Sequence, residues 1–171
     1  MVSIAVDAQG PEKVKPYLQA ADATFVTLID RTNMLSSILG FKAVPNGILI
    51  DQLGILSYQK YGGFDIRKPE FRRIIEAWVK GASPGSLGSH MKDNVMGGPE
   101  HEQALKHFQT GVNYYNQGKL RESLIEWEKG RNLDPDSWVI RKQIWAVQNP
   151  EKFYDGEVDS DWQRQQIEQG K

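Results

Sequence analysis

Residues 41–51 read Phe41-Lys42-Ala43-Val44-Pro45-Asn46-Gly47-Ile48-Leu49-Ile50-Asp51. Gly47 to Ile50 is a short apolar run that reads as a buried strand. Asp51-Gln52-Leu53-Gly54 is a turn, and Ile55 to Tyr61 is a second run of strand type, so the two runs predict a hairpin. Val44-Pro45 forms the loop that leads into it.

Upstream of this stretch the pattern alternates. Val2 to Val6 is a short apolar strand. Pro11 suits a first helical position, with Val14, Leu18 and Ala21 on one face. Thr24 to Ile29 is a second β-branched and apolar strand. Met34, Leu35, Ile38 and Leu39 make a helical stripe that Gly40 terminates. Downstream, Pro69 opens a helix that turns Phe71, Ile74, Ile75, Trp78 and Val79 inward and ends at Gly81. The order β-α-β-α-β-β-α predicts an α/β layer fold with a mixed sheet over residues 1–81.

Residues 82–99 are rich in Gly, Ser and Pro and lose apolar periodicity, which predicts a flexible linker. Residues 100–171 then read as a small all-α unit with a C-terminal tail. Ala104, Phe108, Val112 and Tyr115 share one helical face, and Leu120, Leu124 and Trp127 the next. Asp134-Pro135 predicts an N-cap and first turn for a third helix carrying Trp138, Ile144 and Trp145. Ser160, with Gln163 three residues on, predicts the cap of a last short helix.

The chain has 171 residues, a net charge of -1, 39% hydrophobic and 25% charged residues. These values fit a soluble globular protein. The basic residues are dispersed, which argues against nucleic acid as a partner. No apolar run approaches the roughly 20 residues that span a bilayer. The N-terminus has neither a basic leader nor a cleavage site, so no membrane association is expected and the cytoplasm is the favoured compartment. Cysteine is absent, which excludes disulfides and thiolate chemistry from these residues.

Several elements together resemble the C-terminal portion of a thioredoxin-like domain of the redoxin type. They are the strand ending in Val6-Asp7, the helix after it, the Leu28-Ile29-Asp30 strand, the helix ending at Leu39-Gly40-Phe41, the Val44-Pro45 loop, the Ile48-Leu49-Ile50-Asp51 strand, Gly54, the hairpin and the closing helix. The resemblance covers residues 2–81. It implies that Pro45 follows a cis peptide bond and that Ala43, Val44 and Pro45 form a peptide-binding loop whose backbone groups pair with an extended substrate. In that family a central strand and a Cys-x-x-Cys helix come first in the domain. Neither is present in these residues, and the thiolate is the nucleophile of thiol–disulfide exchange. On the family's sheet order the missing strand would lie between Val2–Val6 and Gly47–Ile50, leaving unpaired backbone groups on both. Three resolutions are open: the two strands close on each other, another chain supplies a strand, or the chain is the downstream part of a longer protein with Met1 as an internal methionine.

Residues 104–137 resemble one tetratricopeptide repeat of about 34 residues. Gly111, Tyr114, Gly118, Leu120, Ser123, Trp127 and Pro135 stand at the repeat's glycine, tyrosine, glycine, apolar, small, aromatic and proline positions. His107, Thr110 and Gly130 depart from the pattern. About three repeats are normally needed to bury the faces of such units, so a single one must pack on the tail, the first segment or a partner.

No pattern for a cofactor, metal or catalytic residue emerges. His90, His101 and His107 lack the spacing of a metal site. Glu157, Asp159, Asp161 and Glu168 have calcium-loop spacing, but Trp162 stands where the sharp turn needs glycine; they read as a solvated acidic turn. The spacing of Trp127, Trp138, Trp145 and Trp162 matches inward faces of a small helical core rather than an exposed aromatic groove. Two functions are therefore expected as alternatives. One is a non-catalytic module that binds a protein or peptide and forms homo-oligomers through exposed sheet edges. The other is the C-terminal part of a thiol-disulfide oxidoreductase or peroxidase-like redoxin whose cysteines lie upstream of Met1.

Overall fold

The computed structural model of the chain describes residues 1–82 and 97–170. Most of the expected linker over 82–99, and His90 within it, lie outside the described residues. The elements are β1 (Val2–Val6), α1 (Pro11–Ala20), β2 (Val26–Asp30), α2 (Met34–Leu39), β3 (Gly47–Ile50), β4 (Leu56–Lys60), α3 (Pro69–Val79), α4 (Pro99–Asn116), α5 (Leu120–Leu133), α6 (Trp138–Gln148), a 3-10 turn at Pro150–Lys152, and α7 (Ser160–Glu168). The protein is mixed α/β, with strands and helices alternating first and helices following.

The expected single mixed sheet is not formed among the described residues. There are two separate two-stranded sheets, β1 with β2 and β3 with β4. β1 and β2 are parallel, with Val2 opposite Val26 and Val6 opposite Asp30. β3 and β4 are the expected antiparallel hairpin, with Gly47 opposite Lys60 and an irregularity between Leu49 and Ile50. The physical reason is the one the pairing rules supply: among the described residues no strand bonds the second edge of β1 or of β3, so each pair stays a pair.

The chain divides into two compact units, Met1–Met34 with Glu100–Lys171, and Leu35–Pro99. This differs from the sequence division at the linker. In the first unit Ala8, just after β1, is fully buried in a core with Ala104, Phe108, Val112, Trp127, Ile140 and Ile144. Its backbone N–H donates to Gln143 Oε1 of α6 at 2.9 Å. A contact between positions so far apart in the chain leaves no trace in local periodicity. A second cluster joins Trp145, Ala146 and Phe153, with Trp138, Tyr154 and Trp162 packed against it. Trp145 and Trp162 meet edge to face at 5.6 Å. The tryptophans thus form core, as their spacing predicts.

Two helix starts differ from expectation. α6 begins at Trp138, not at Pro135. Asp134 instead caps the C-terminus of α5 and bonds His101 Nδ1 at 2.6 Å, both side chains nearly fully buried. The cap of α7 is Asp159, whose carboxylate accepts from Trp162 N at 2.8 Å, and not Ser160, which is already helical.

In the second unit Phe41, Tyr58 and Phe71 are buried. Phe64 lies 4.9 Å from the Phe71 ring and covers Gly47 so closely that a Cβ there would stand 2.4 Å from the ring. Gly40 ends α2 with φ 74, a conformation glycine adopts without steric penalty. The inward stripe expected on α2 is not observed: Ser36 is the buried residue, while Met34 and Ile38 are exposed. Val79 of α3 is exposed as well, whereas Phe71 is buried as expected.

Candidate interaction site

The β1–β2 pair carries an exposed apolar face. Side chains alternate across a strand, so Ser3, Ala5 and Thr27 share one face. That face carries a Ser3–Thr27 hydroxyl hydrogen bond of 2.6 Å. A cavity of about 320 Å³ separates it from Val14 and Leu18 of α1. The opposite face presents Val2, Ile4, Val26 and Leu28, which the parallel register sets side by side. Their exposures are 58%, 43%, 61% and 52%. Four adjacent aliphatic side chains left in water are a contiguous apolar patch rather than the scattered exposure normal for a surface. Among the described residues each strand bonds one neighbour, which leaves it a free edge.

At the carboxyl end of β1 lies a polar cluster that sequence reasoning missed. Asp7 Oδ1 accepts from Gln9 N at 2.8 Å, and Asp7 Oδ2 accepts from the Tyr154 hydroxyl at 2.8 Å. Gln9 Nε2 donates to the same Tyr154 oxygen at 2.8 Å. Lys13 Nζ stands 4.7 Å from the centre of the Tyr154 ring, and the Tyr17 hydroxyl donates to Phe153 O. Burial pushes the Asp7 carboxyl above the ordinary carboxylate value, against the hydrogen bonds that lower it. Burial, followed by the charge of Asp7, raises the Tyr154 phenol far above its own. Asp7 and Tyr154 can share a proton across their hydrogen bond. Carboxyl ends of parallel strands are where ligands gather in α/β sheets; that rule singles out Asp7, while its partner Tyr154 carries no sequence signal.

The residues expected to form sites fall as follows. The Val44–Pro45 peptide bond is cis, as the resemblance implies. Val44 and Pro45 are exposed and Ala43 is half-buried. Pro45 O accepts from Phe64 N at 3.1 Å, so that carbonyl already has a partner within its own unit. Among the repeat-motif residues, Gly111 and Trp127 meet: a Cβ on Gly111 would stand 2.4 Å from the indole. Trp127 Nε1 donates to Phe108 O at 2.9 Å, and the Phe108 and Tyr115 rings stack on the indole at 5.7 and 5.9 Å. Ser123 is buried beside them. Gly118 makes the turn from α4 to α5, and Lys119 N donates to Tyr114 O at 3.0 Å. Leu120 and Pro135 are exposed rather than packed.

The chain matches no family model, no curated protein and no solved structure. Among the described residues no group of His, Asp or Glu is arranged to hold a metal ion, and no helix is long and apolar enough to cross a membrane. His101 is instead paired with Asp134, and His107 Nδ1 bonds Glu126 at 2.7 Å.

Proposed function

We propose that the chain is a non-catalytic protein-interaction module, built on a thioredoxin-like scaffold and a tetratricopeptide-like repeat, whose β1–β2 pair receives an extended segment of a protein partner. The observation that carries this reading is the exposed face of Val2, Ile4, Val26 and Leu28 beside free strand edges. A strand added at an edge supplies the missing backbone partners, and its alternate side chains meet the apolar face. The absence of cysteine agrees with binding rather than thiol chemistry.

The test is photo-crosslinking in the source cells, with a benzophenone side chain at position 4 or 28 and a control at the exposed Gln165. The expected outcome is one common protein adduct from positions 4 and 28 that the control does not give. Identical adduct patterns from all three positions sink the reading.

The free edges of both β1 and β3 favour one other reading: the chain is the downstream part of a thiol-disulfide oxidoreductase or peroxidase-like redoxin. The coding sequence separates the two. An apolar strand followed by Cys-x-x-Cys in frame before Met1 supports the oxidoreductase, and a stop codon directly before it supports the module.

A further inference from the structure

A second surface, on α5, carries a charge pattern that defines its own partner. A shallow depression of about 640 Å³ runs along this helix and is lined by α5 residues alone, among them Leu120, Arg121, Leu124, Ile125 and Glu128. Leu120 and Ile125 are 46% and 48% exposed. Residues 121, 124, 125 and 128 fall on one helical stripe at 3.6 residues per turn. Arg121 is exposed and has no ion-pair partner among the described residues, whereas Glu128 is paired only along its own helix, with Arg131 at 2.8 Å. Lys129 at the margin is held by Glu126 at 2.5 Å.

We propose that α5 packs antiparallel against α5 of a second copy of this chain. The two-fold axis passes between positions 124 and 125, so that Arg121 of each copy faces Glu128 of the other. The register follows from the stripe. Arg121 and Glu128 are equidistant from the midpoint of Leu124 and Ile125, and they lie close to its centre line. A two-fold operation therefore brings opposite charges together twice, with the exposed Ile125 meeting its own counterpart between them beside the half-buried Leu124, which also packs on the core of its own chain. Such a face is self-complementary, the property an isologous dimer requires. The parallel arrangement would set Arg121 against Arg121 and Glu128 against Glu128, which like-charge repulsion disfavours. A single helix pair buries less than the ~1,200 Å² at the low end of standard interfaces, so the association depends on concentration. This proposal is independent of the β1–β2 reading.

Sedimentation velocity of the full chain across a concentration series tests it, with Arg121→Glu, Glu128→Arg, the double exchange and Ile125→Ser. Far-UV circular dichroism confirms that each variant is folded. The wild-type sedimentation coefficient is expected to rise toward that of a dimer. Each single charge reversal and Ile125→Ser should weaken association about tenfold or more, and the double exchange should restore it to within about threefold, as expected when two charges interact directly. A monomer at every concentration overturns the proposal. So does a dimer indifferent to the single reversals, or a double exchange that stays monomeric.

Discussion

Asp7 accepts from Gln9 N and from the Tyr154 hydroxyl and is buried at the expense of its charge. Its carboxyl value is raised from 3.8 by burial. Below 3.8 the group is protonated in both folded and unfolded chains and contributes nothing. As pH rises through the higher folded value, folding must carry a half-buried charge, and stability declines. Asp7→Asn keeps Oδ1 as the acceptor for Gln9 N, sets an amide N–H donor against the Tyr154 oxygen and removes the charge. Thermal melts are expected to show a higher Tm for Asn at pH 7 and a smaller decline between acidic and neutral pH. A lower Tm at pH 7 would show that the bonds to the carboxylate outweigh its burial. Gly111 presents the opposite case, a residue needed for its lack of a side chain. A Cβ there would stand 2.4 Å from Trp127, so Gly111→Ala should cost about 1–3 kcal/mol in urea unfolding. The sequence singled out Gly111 and Trp127 together through a resemblance to a repeat pattern, and the two residues do meet. Asp7 was not legible in the sequence, because half of its environment is Tyr154, distant in the chain.

At the level of elements, the boundaries were readable where a single residue type forces them. Pro11 and Pro69 begin α1 and α3, and Gly40 follows the end of α2. They were misread where two polar residues competed. Asp134 and Ser160 both suit a cap, yet Asp134 is used by His101 and the cap of α7 is Asp159. Asp159→Ala should therefore destabilise the protein by about 1 kcal/mol, with Ser160→Ala within about 0.5 kcal/mol of wild type. Denaturant melts of the two variants decide between the caps. Inward faces were read less well on α2 and α3, because apolar side chains at helical spacing indicate a face that can be buried, and only the neighbouring elements determine whether it is. Ile38 and Val79 remain 64% and 71% exposed.

The molecule as a whole departs from its order in sequence. Residues 1–34 belong with the helices after residue 99. A fragment of residues 97–171 lacks Ala8, which fills the space among Phe108, Ile140 and Ile144, and it loses the Gln143 and Tyr154 bonds to Ala8, Gln9 and Asp7. Its Tm is expected to fall well below that of the full chain's corresponding transition, with weaker near-UV dichroism from Trp127 and Trp145. A fragment as stable as the full chain would show that the contacts around Ala8 contribute little. By itself the sequence determined the element types, the β3–β4 hairpin, the aromatic core of the helices and the lack of cysteine among these residues, because each depends on residues near one another or on composition alone. The tertiary structure decided that two strand pairs stand in place of one sheet. It also decided that Ala8 and Asp7 join the helical unit and that the β1–β2 face is left in water. Those outcomes depend on which distant surfaces exclude water from each other, and local periodicity carries no record of that choice.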